Sequence, residues 1–439
     1  MSFVPAINRI VIGDVGSGKT IVAFTLALTY LQGLSDSAQV AMIAPTEVLA
    51  FQHYLKLIEL VGNQSKLLAK QNLHCIYLAG KAAFVDNIQL TPAKFKTKIT
   101  QLLDQQAKLF WVGTHALLFS NQIQPDLVMV DEQHRFGVRQ RQKLAQKQEV
   151  NNSLDFQPHF VSFTATPIPR TLALTVYNSL QPHFLSTLSS RHPIATTVKI
   201  FDNLESEIIP RINDVLEQNR KVYVICPAVE EVEIKEKKLQ LDDKEDLPLW
   251  SVTKTAKILE QFFPTQVLQV HGKLADKKDI LSEFKESSTK NVLVATTVVE
   301  VGVDVGEATL VVILNAERFG LSALHQIRGR VGRNIYPDNY CILVTYKQFL
   351  FSKRLKYIRE LQDGFALAQK DLELRGSGDL IGDSQSGFAE DIDALIGLDP
   401  ELYEQIGELV DQLDYPNLNK KLPRLYNYLE SQKNRVWEE

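Results

Sequence analysis

The run Gly13-Asp14-Val15-Gly16-Ser17-Gly18-Lys19-Thr20 puts five glycine and hydroxyl-bearing positions and a lysine into one tight loop. Glycine lets backbone N–H groups converge on a phosphate with no Cβ in the way, and a helix opening at the end of the run adds partial positive charge. The spacing is that of a phosphate loop, GxxxxGK[ST]. In that chemistry Gly13, Gly16, Ser17 and Gly18 line the phosphates of ATP. Lys19 reaches the β- and γ-phosphates, and Thr20 helps to hold Mg²⁺. A chance glycine-rich turn is the competing explanation, but a strand-like run before the loop and a helical run after it are what the motif requires.

Asp131-Glu132-Gln133-His134 closes the apolar run LVMVDE. A carboxylate at the carboxyl end of a parallel strand points into the ligand crevice. Asp131 is placed to bind Mg²⁺, and Glu132 to polarise an attacking water as general base. On its own such a pair is as well explained by helix capping; the upstream phosphate loop turns it into a hydrolytic nucleotide site. Thr164-Ala165-Thr166 ends the next strand and offers hydroxyls to the DEQH segment. In the second half, HQIRGRVGR carries Gln326, Arg330 and Arg333 at the start of a helix. Arginines that face a nucleotide supply charge to a phosphoryl-transfer transition state. Asp304, in the turn after ATTVVEVGVDV, is a candidate acceptor for a ribose hydroxyl, with an ordinary turn aspartate as the plainer alternative.

These residues need elements to position them, and the apolar pattern supplies a consistent set. RIVIGD, VAMIAP, HCIYLAG, LFWVGT, LVMVDE and FVSFTAT read as short buried strands, with helices over residues 20–31 and 47–60 between the first of them. VYVICP, QVLQVHG, NVLVATT, TLVVILNA and YCILVTY repeat the rhythm after residue 220. Nearly all-apolar strands alternating with helices mean parallel sheets covered on both faces, hence an α/β fold in two tandem units. LSTLSSRHPIATT, residues 185–197, breaks the pattern and is expected to be a linker. Residues 229–246 carry dense charge of both signs and read as a solvated insertion. After Tyr346 only helices are expected, with a Gly-rich interruption at residues 375–387. The resulting domains are 1–190, 196–350 and a small helical C-terminal region, 351–439.

Composition narrows the class. The 439 residues suit about three domains, and 23% charged with 45% hydrophobic residues is ordinary for a globular protein. A formal charge of −4 excludes a histone-like binder and leaves room for an enzyme with a local basic groove. Cys75, Cys226 and Cys341 form no CxxC pair, which removes support for a zinc or thioredoxin-like site; Cys226 and Cys341 are expected as buried thiols. No secretory signal and no membrane-spanning run is read, so the expected compartment is the cytoplasm, with no membrane partner.

Phosphate loop, DEQH, TAT and QxxGRxGR occur in the order found in superfamily 2 helicases and translocases, whose two RecA-like domains close on ATP. The chain resembles one family in particular, the bacterial RecG DNA helicases. The resemblance is carried by PTEVLA, GTHALL, VICPAVEE, VVEVGVD and NAERFGLSALHQIRGRVGR. It continues in DGFALAQKDLELRGSGDLIGDSQSG, which is similar to the translocation motif that family shares with the transcription-repair coupling factor. The resemblance implies a motor on duplex or branched DNA that remodels stalled forks and recombination intermediates. It implies that Thr46, Glu47, Thr114 and His115 lie near the DNA backbone, and that Arg375 and Gln385 belong to the element that turns domain closure into movement.

The sequence also departs from that pattern. Only twelve residues precede Gly13, and no glutamine occurs before Gln32, where the family carries a wedge domain and an adenine-reading segment. The expectation is a motor without its wedge, with a separate polypeptide as one source for it. The alternatives are a wedge-less remnant that binds nucleic acid or a partner with little unwinding, and an RNA helicase. In the tail, Ser377 stands where the family pattern has proline and Asp379 where it has glutamate.

Overall fold

A computed structural model describes residues 7–33, 37–63, 72–80, 82–119, 123–132, 158–164, 181–185, 192–229, 248–272, 274, 277–296, 307–332, 336–375 and 423. The first sheet has nine strands: β1 (Asn8–Gly13), β2 (Gln39–Ile43), β3 (Leu73–Ala79), β4 (Ala82–Val85), β5 (Ile88–Gln89), β6 (Lys108–Gly113), β7 (Leu127–Asp131), β8 (His159–Thr164) and β9 (Gln181–Leu185). Their order across the sheet is β5-β4-β3-β6-β2-β7-β8-β1-β9. From β3 to β9 every pairing is parallel, whereas β4 and β5 add an antiparallel flap at one edge. Asp86 and Asn87 join the flap strands with φ of 48° and 69°, the left-handed pair that a two-residue hairpin turn requires.

Helix α1 (Lys19–Gly33) buries Ala23, Phe24, Ala27 and Leu31, one stripe at helical spacing, against the face that carries Val11, Phe110, Met129 and Phe163. Helix α2 (Glu47–Asn63) extends the same core through Leu49, Ala50, Tyr54 and Leu57. Helix α3 (Pro92–Asp104) starts at a proline, whose fixed φ suits a first helical turn, and buries Phe95, Ile99 and Leu102.

The second sheet is wholly parallel, in the order β10-β15-β14-β11-β13-β12. Its strands are β10 (Ile194–Ile200), β11 (Lys221–Ile225), β12 (Val267–Val270), β13 (Val292–Ala295), β14 (Ala308–Ile313) and β15 (Asn339–Thr345). Around it lie α4 (Ile209–Glu217), α5 (Val252–Phe262), α6 (Lys277–Glu286), α7 (Leu321–Arg328), α8 (Lys353–Glu360) and α9 (Gly364–Arg375). Ser251 and Ser352 cap α5 and α8, each accepting a backbone N–H at 3.3 Å. Leu355, Ile358 and Leu367 bring α8 and α9 into the core on one face of this sheet; α4 and α5 fill the other.

Both sheets fall in one compact unit, Met1–Ile168 with Ser179–Leu374, and a second unit takes Pro169–Asn178 with Arg375–Glu439. The strands read from the apolar runs are all present. The expected linker is shorter than the sequence suggested. Leu185 ends β9, hydrogen-bonded beside β1, and residues 194–197 open β10, paired with β15. Thr196 and Thr197 lie in β10, an edge strand held by its pairing with β15, and residues 186–191 lie outside the described residues. Residues 230–247 lie outside the described set. All three cysteines are buried, and burial pushes each thiol up to about 12. Among the described residues no helix is long and apolar enough to cross a membrane.

Candidate nucleotide site at the junction of the two sheets

The phosphate loop joins the carboxyl end of β1 to the first residue of α1. Gly16 and Gly18 take φ of 77° and 87°, conformations that a side chain would strain. Gly13 has no room for a side chain, since a Cβ there would come within 2.4 Å of Ser17 Oγ. Lys19 Nζ donates to the carbonyls of Gly13 at 2.9 Å and Asp14 at 2.8 Å, so its charge sits inside the loop. Ser17 Oγ is buried with no hydrogen-bond partner among the described residues. A buried hydroxyl without a partner costs free energy. In a glycine cradle next to an ammonium group, its natural complement is an anionic oxygen. The loop residues Gly13, Gly16, Ser17, Gly18, Lys19 and Thr20 therefore fit a phosphate chain.

Asp131 is the last residue of β7, which runs beside β8, itself the neighbour of β1. Its Oδ2 lies 2.9 Å from His53 Nε2, a buried imidazole on α2 that meets Phe24 edge-on. Glu132 follows with φ of 53°, a left-handed backbone held by a hydrogen bond from its N–H to Phe163 O at 2.8 Å. Such a conformation in a non-glycine residue is strained and needs support from its surroundings. Thr164 Oγ1 lies 3.5 Å from Glu132 Oε2, so the ends of β7 and β8 meet through side chains. Gln133, His134, Ala165 and Thr166 lie outside the described residues.

The second sheet contributes α7. Gln326 and Arg330 are buried, and between them Gly329 ends the helix against the phosphate loop. A Cβ on Gly329 would come within 2.8 Å of Val15 Cγ1, so the glycine is what lets the backbones approach. Arg333 and Asp304 lie outside the described residues. Thr46 accepts the N–H of Leu49 at 3.3 Å and starts α2 after β2. The Glu47 carboxylate packs over Gly80, and Tyr77 OH donates to Glu47 O at 3.2 Å. Thr114 and His115 follow β6, the neighbour of β2, which puts all four residues along adjacent strand ends. Arg375 is the last residue of α9; Gln385 lies outside the described residues.

Reading the motifs for nucleotide contacts passes over His53, Asp14 and His325. His53 carries no local signal, because its partner Asp131 is 78 positions away. Asp14 and His325 sit inside the quoted motifs, yet only the fold shows that they meet, at 2.5 Å.

Two parallel-sheet α/β domains with a phosphate loop on one and QxxGR on the other define the helicase class of two-lobed nucleotide-binding proteins. Residues 3–175 match the DEAD/DEAH box helicase family and residues 207–335 the helicase conserved C-terminal domain. Within that class the chain resembles the motor part of the bacterial RecG ATP-dependent DNA helicases. It is 41% identical to the protein of that name from Pasteurella multocida over 391 residues, 87% of this chain and 51% of the relative. With the Synechocystis protein of the same name it shares 38% over 446 residues, 96% of this chain and 48% of the relative. Among solved structures, RecG bound to a three-way DNA junction superposes with a TM-score of 0.64 at 30% identity, covering 89% of this chain and 47% of that one. The chain thus spans about half the length of the relatives it matches.

Proposed function

We propose that this chain is the motor of an ATP-dependent DNA translocase or helicase that acts on duplex or branched DNA, in fork rescue and recombinational repair. The observation that carries the reading is the contact between Gly329 and Val15, which seats the QxxGR helix of one sheet on the phosphate loop of the other. The domains in this reading are 1–190, 196–350 and 351–439, and the compartment is the cytoplasm.

ATP bound with Mg²⁺ would supply the transferable phosphoryl group and the charge that steadies it. Lys19 exchanges the carbonyls of Gly13 and Asp14 for phosphate oxygens, and Ser17 Oγ gains a partner. Thr20 and Asp131 are the residues that would hold the cation, with His53 fixing the Asp131 carboxylate. Glu132 orients the attacking water and takes its proton at the carboxylate. Arg330 and Arg333 bring positive charge, and Gln326 a neutral amide donor, from the second domain when the cleft closes, and Asp304 accepts from the ribose. Thr46, Glu47, Thr114 and His115 face the DNA backbone, where the N-terminal amides of α2 suit a phosphate. Arg375 and Gln385 transmit closure to the duplex, and recognition of the fork junction belongs to a part outside the motor domains.

Steady-state ATP hydrolysis with forked DNA, single-stranded DNA and RNA, at two salt concentrations, tests this. The expected result is strongest stimulation by the fork, weakening with salt as phosphate contacts demand, and loss of turnover in Lys19→Ala. Preferential stimulation by RNA would replace DNA as the partner, and no turnover with any nucleic acid would end the motor reading.

A further inference from the structure

Asp14 is the second residue of the phosphate loop, 2% exposed, and its carboxylate is fully engaged. Oδ1 accepts from the N–H of Val15 at 2.5 Å and meets His325 Nε2 at 2.5 Å. Oδ2 accepts from the N–H of Gly364 at 3.2 Å. Two of these three donors come from α7 and α9, separated from Asp14 by 311 and 350 positions. One carboxylate therefore joins the phosphate loop, the QxxGR helix and the helix that leads into the C-terminal region.

The hydrogen-bond chemistry fixes the direction of each contact. Arg328 Nη2 lies 2.9 Å from His325 Nδ1, and a guanidinium can only donate. Nδ1 is therefore the acceptor, and Nε2 carries the proton that points at Asp14. The rest of the Arg328 guanidinium donates to Ile358 O at 2.6 Å, Leu361 O at 2.9 Å and Gln362 O at 3.3 Å. Arg328 is 1% exposed, so this buried charge holds the end of α8 and the α8–α9 connection in place. Gln362 Nε2 donates in turn to Ile194 O at 3.0 Å. Asp363 Oδ1 accepts the N–H of Ala366 at 2.8 Å and caps α9 locally. Asp14 supplies a second carboxylate to the same helix start, where the helix dipole favours negative charge.

We infer that Asp14 is a positioning residue that carries a displacement of the phosphate loop to α7 and to the first turn of α9. The inference rests on the nucleotide-driven reading above. The same residue provides the main-chain carbonyl that holds Lys19 Nζ. A triphosphate that draws Lys19 away frees the Gly13 and Asp14 carbonyls, and the Asp14 backbone turns with them. Its carboxylate is buried and cannot leave its donors without an uncompensated charge, so the donors move with it. Gly364 and α9 follow the loop without any contact of their own with the nucleotide.

Hydrogen exchange on the whole chain, with and without Mg²⁺ and the non-hydrolysable analogue adenylyl imidodiphosphate, tests the inference. In the unaltered protein the analogue is expected to change the exchange rate at Gly364 and the following turn by about fivefold or more. Asp14→Asn keeps the shape and sets an amide N–H2 against one of the donors. It is expected to bind the analogue within about threefold of the unaltered protein while losing the response in α9. If Asp14→Asn does not fold, Gly364→Pro deletes only the N–H that Asp14 accepts, at a helix start where proline fits, and the same loss is expected. An α9 response in the variant equal to that of the unaltered protein overturns the inference, as does no response in a protein that binds the analogue. Failure to bind the analogue at all removes the motor reading and this inference with it, so the two failures are told apart by the binding measurement.

Discussion

His53 Nε2 lies 2.9 Å from Asp131 Oδ2, with both side chains largely shielded from solvent. The contact crosses from α2 to the end of β7 and fixes the orientation of the carboxylate proposed to hold Mg²⁺. Groups that orient a metal-binding carboxylate commonly contribute about 10- to 100-fold to metal affinity or activity. His53→Ala is expected to raise the Mg²⁺ concentration needed for half-maximal ATP turnover, with the KM for ATP at saturating Mg²⁺ little changed. An unchanged Mg²⁺ dependence would show that Asp131 needs no support from α2.

Gly329, which caps α7, lies close against Val15 of the phosphate loop. In Gly329→Ala the new Cβ would meet Val15 Cγ1 at 2.8 Å and Val15 Cβ at 3.0 Å. Overpacking of that kind costs about 1–3 kcal/mol. The cost falls on the contact between the sheets, because α7 keeps Leu321, Leu324 and Ile327 in its own core. The expected outcome is a large loss of turnover with most of the far-ultraviolet signal and of the unfolding midpoint retained. Turnover at the unaltered rate would mean that the contact does not form during hydrolysis.

Lys221 is a stability residue of the second sheet. Its Nζ donates to Phe284 O, to Lys285 O at 3.1 Å and to Ser287 O at 2.8 Å, closing the carboxyl end of α6. Burial lowers its pKa, and Glu307 partly offsets that. Lys221→Met fills the space and leaves three carbonyls without their donor, a loss of about 2–4 kcal/mol in urea unfolding. A change below about 1 kcal/mol would mean that water replaces the ammonium group.

His159 makes the first domain sensitive to acid. Ile7 N–H donates to its Nδ1 at 2.9 Å, and Tyr30 meets the ring edge-on. Burial lowers its pKa below the ordinary 6.5, with Asp126 opposing. The unfolded chain then binds the proton more readily than the folded one, so this contribution is present above about pH 6.5 and is lost as the pH falls below it through the lowered folded-state value. Asp126, raised from 3.8 by burial, acts in the opposite sense at lower pH. The melting temperature is expected to drop between pH 7.5 and 5.5, and less steeply in His159→Asn, whose amide oxygen still accepts from Ile7. Equal slopes in both proteins would place the acid sensitivity elsewhere.

The phosphate loop, the Asp131–Glu132 pair and the apolar strands were legible in the sequence because their information is local, whereas HQIRGRVGR, expected to open a helix, instead closes one, with Gln326 in the last turn of α7 and Gly329 as its cap. A glycine with positive φ, a hydroxyl after a lysine and an apolar run each express their chemistry within a few residues. The short edge strands β9 and β10 were not, since half-exposed polar strands have no apolar period of their own and are held by the ladders of β1 and β15. Nor was the antiparallel flap, whose strands are two to four residues long.

Sequence by itself determined which groups could handle a nucleotide and the α/β domains that carry them. The tertiary structure alone decided that Asp14 meets His325 and Gly364, that His53 supports Asp131, and that Gly329 lies close against Val15. Contacts between residues 78 to 350 positions apart leave no periodic trace in a chain. They arise only when packing, within the first sheet for His53 and Asp131 and between the two sheets for Asp14 and Gly329, brings distant segments together, and burial then obliges each polar group there to find a partner.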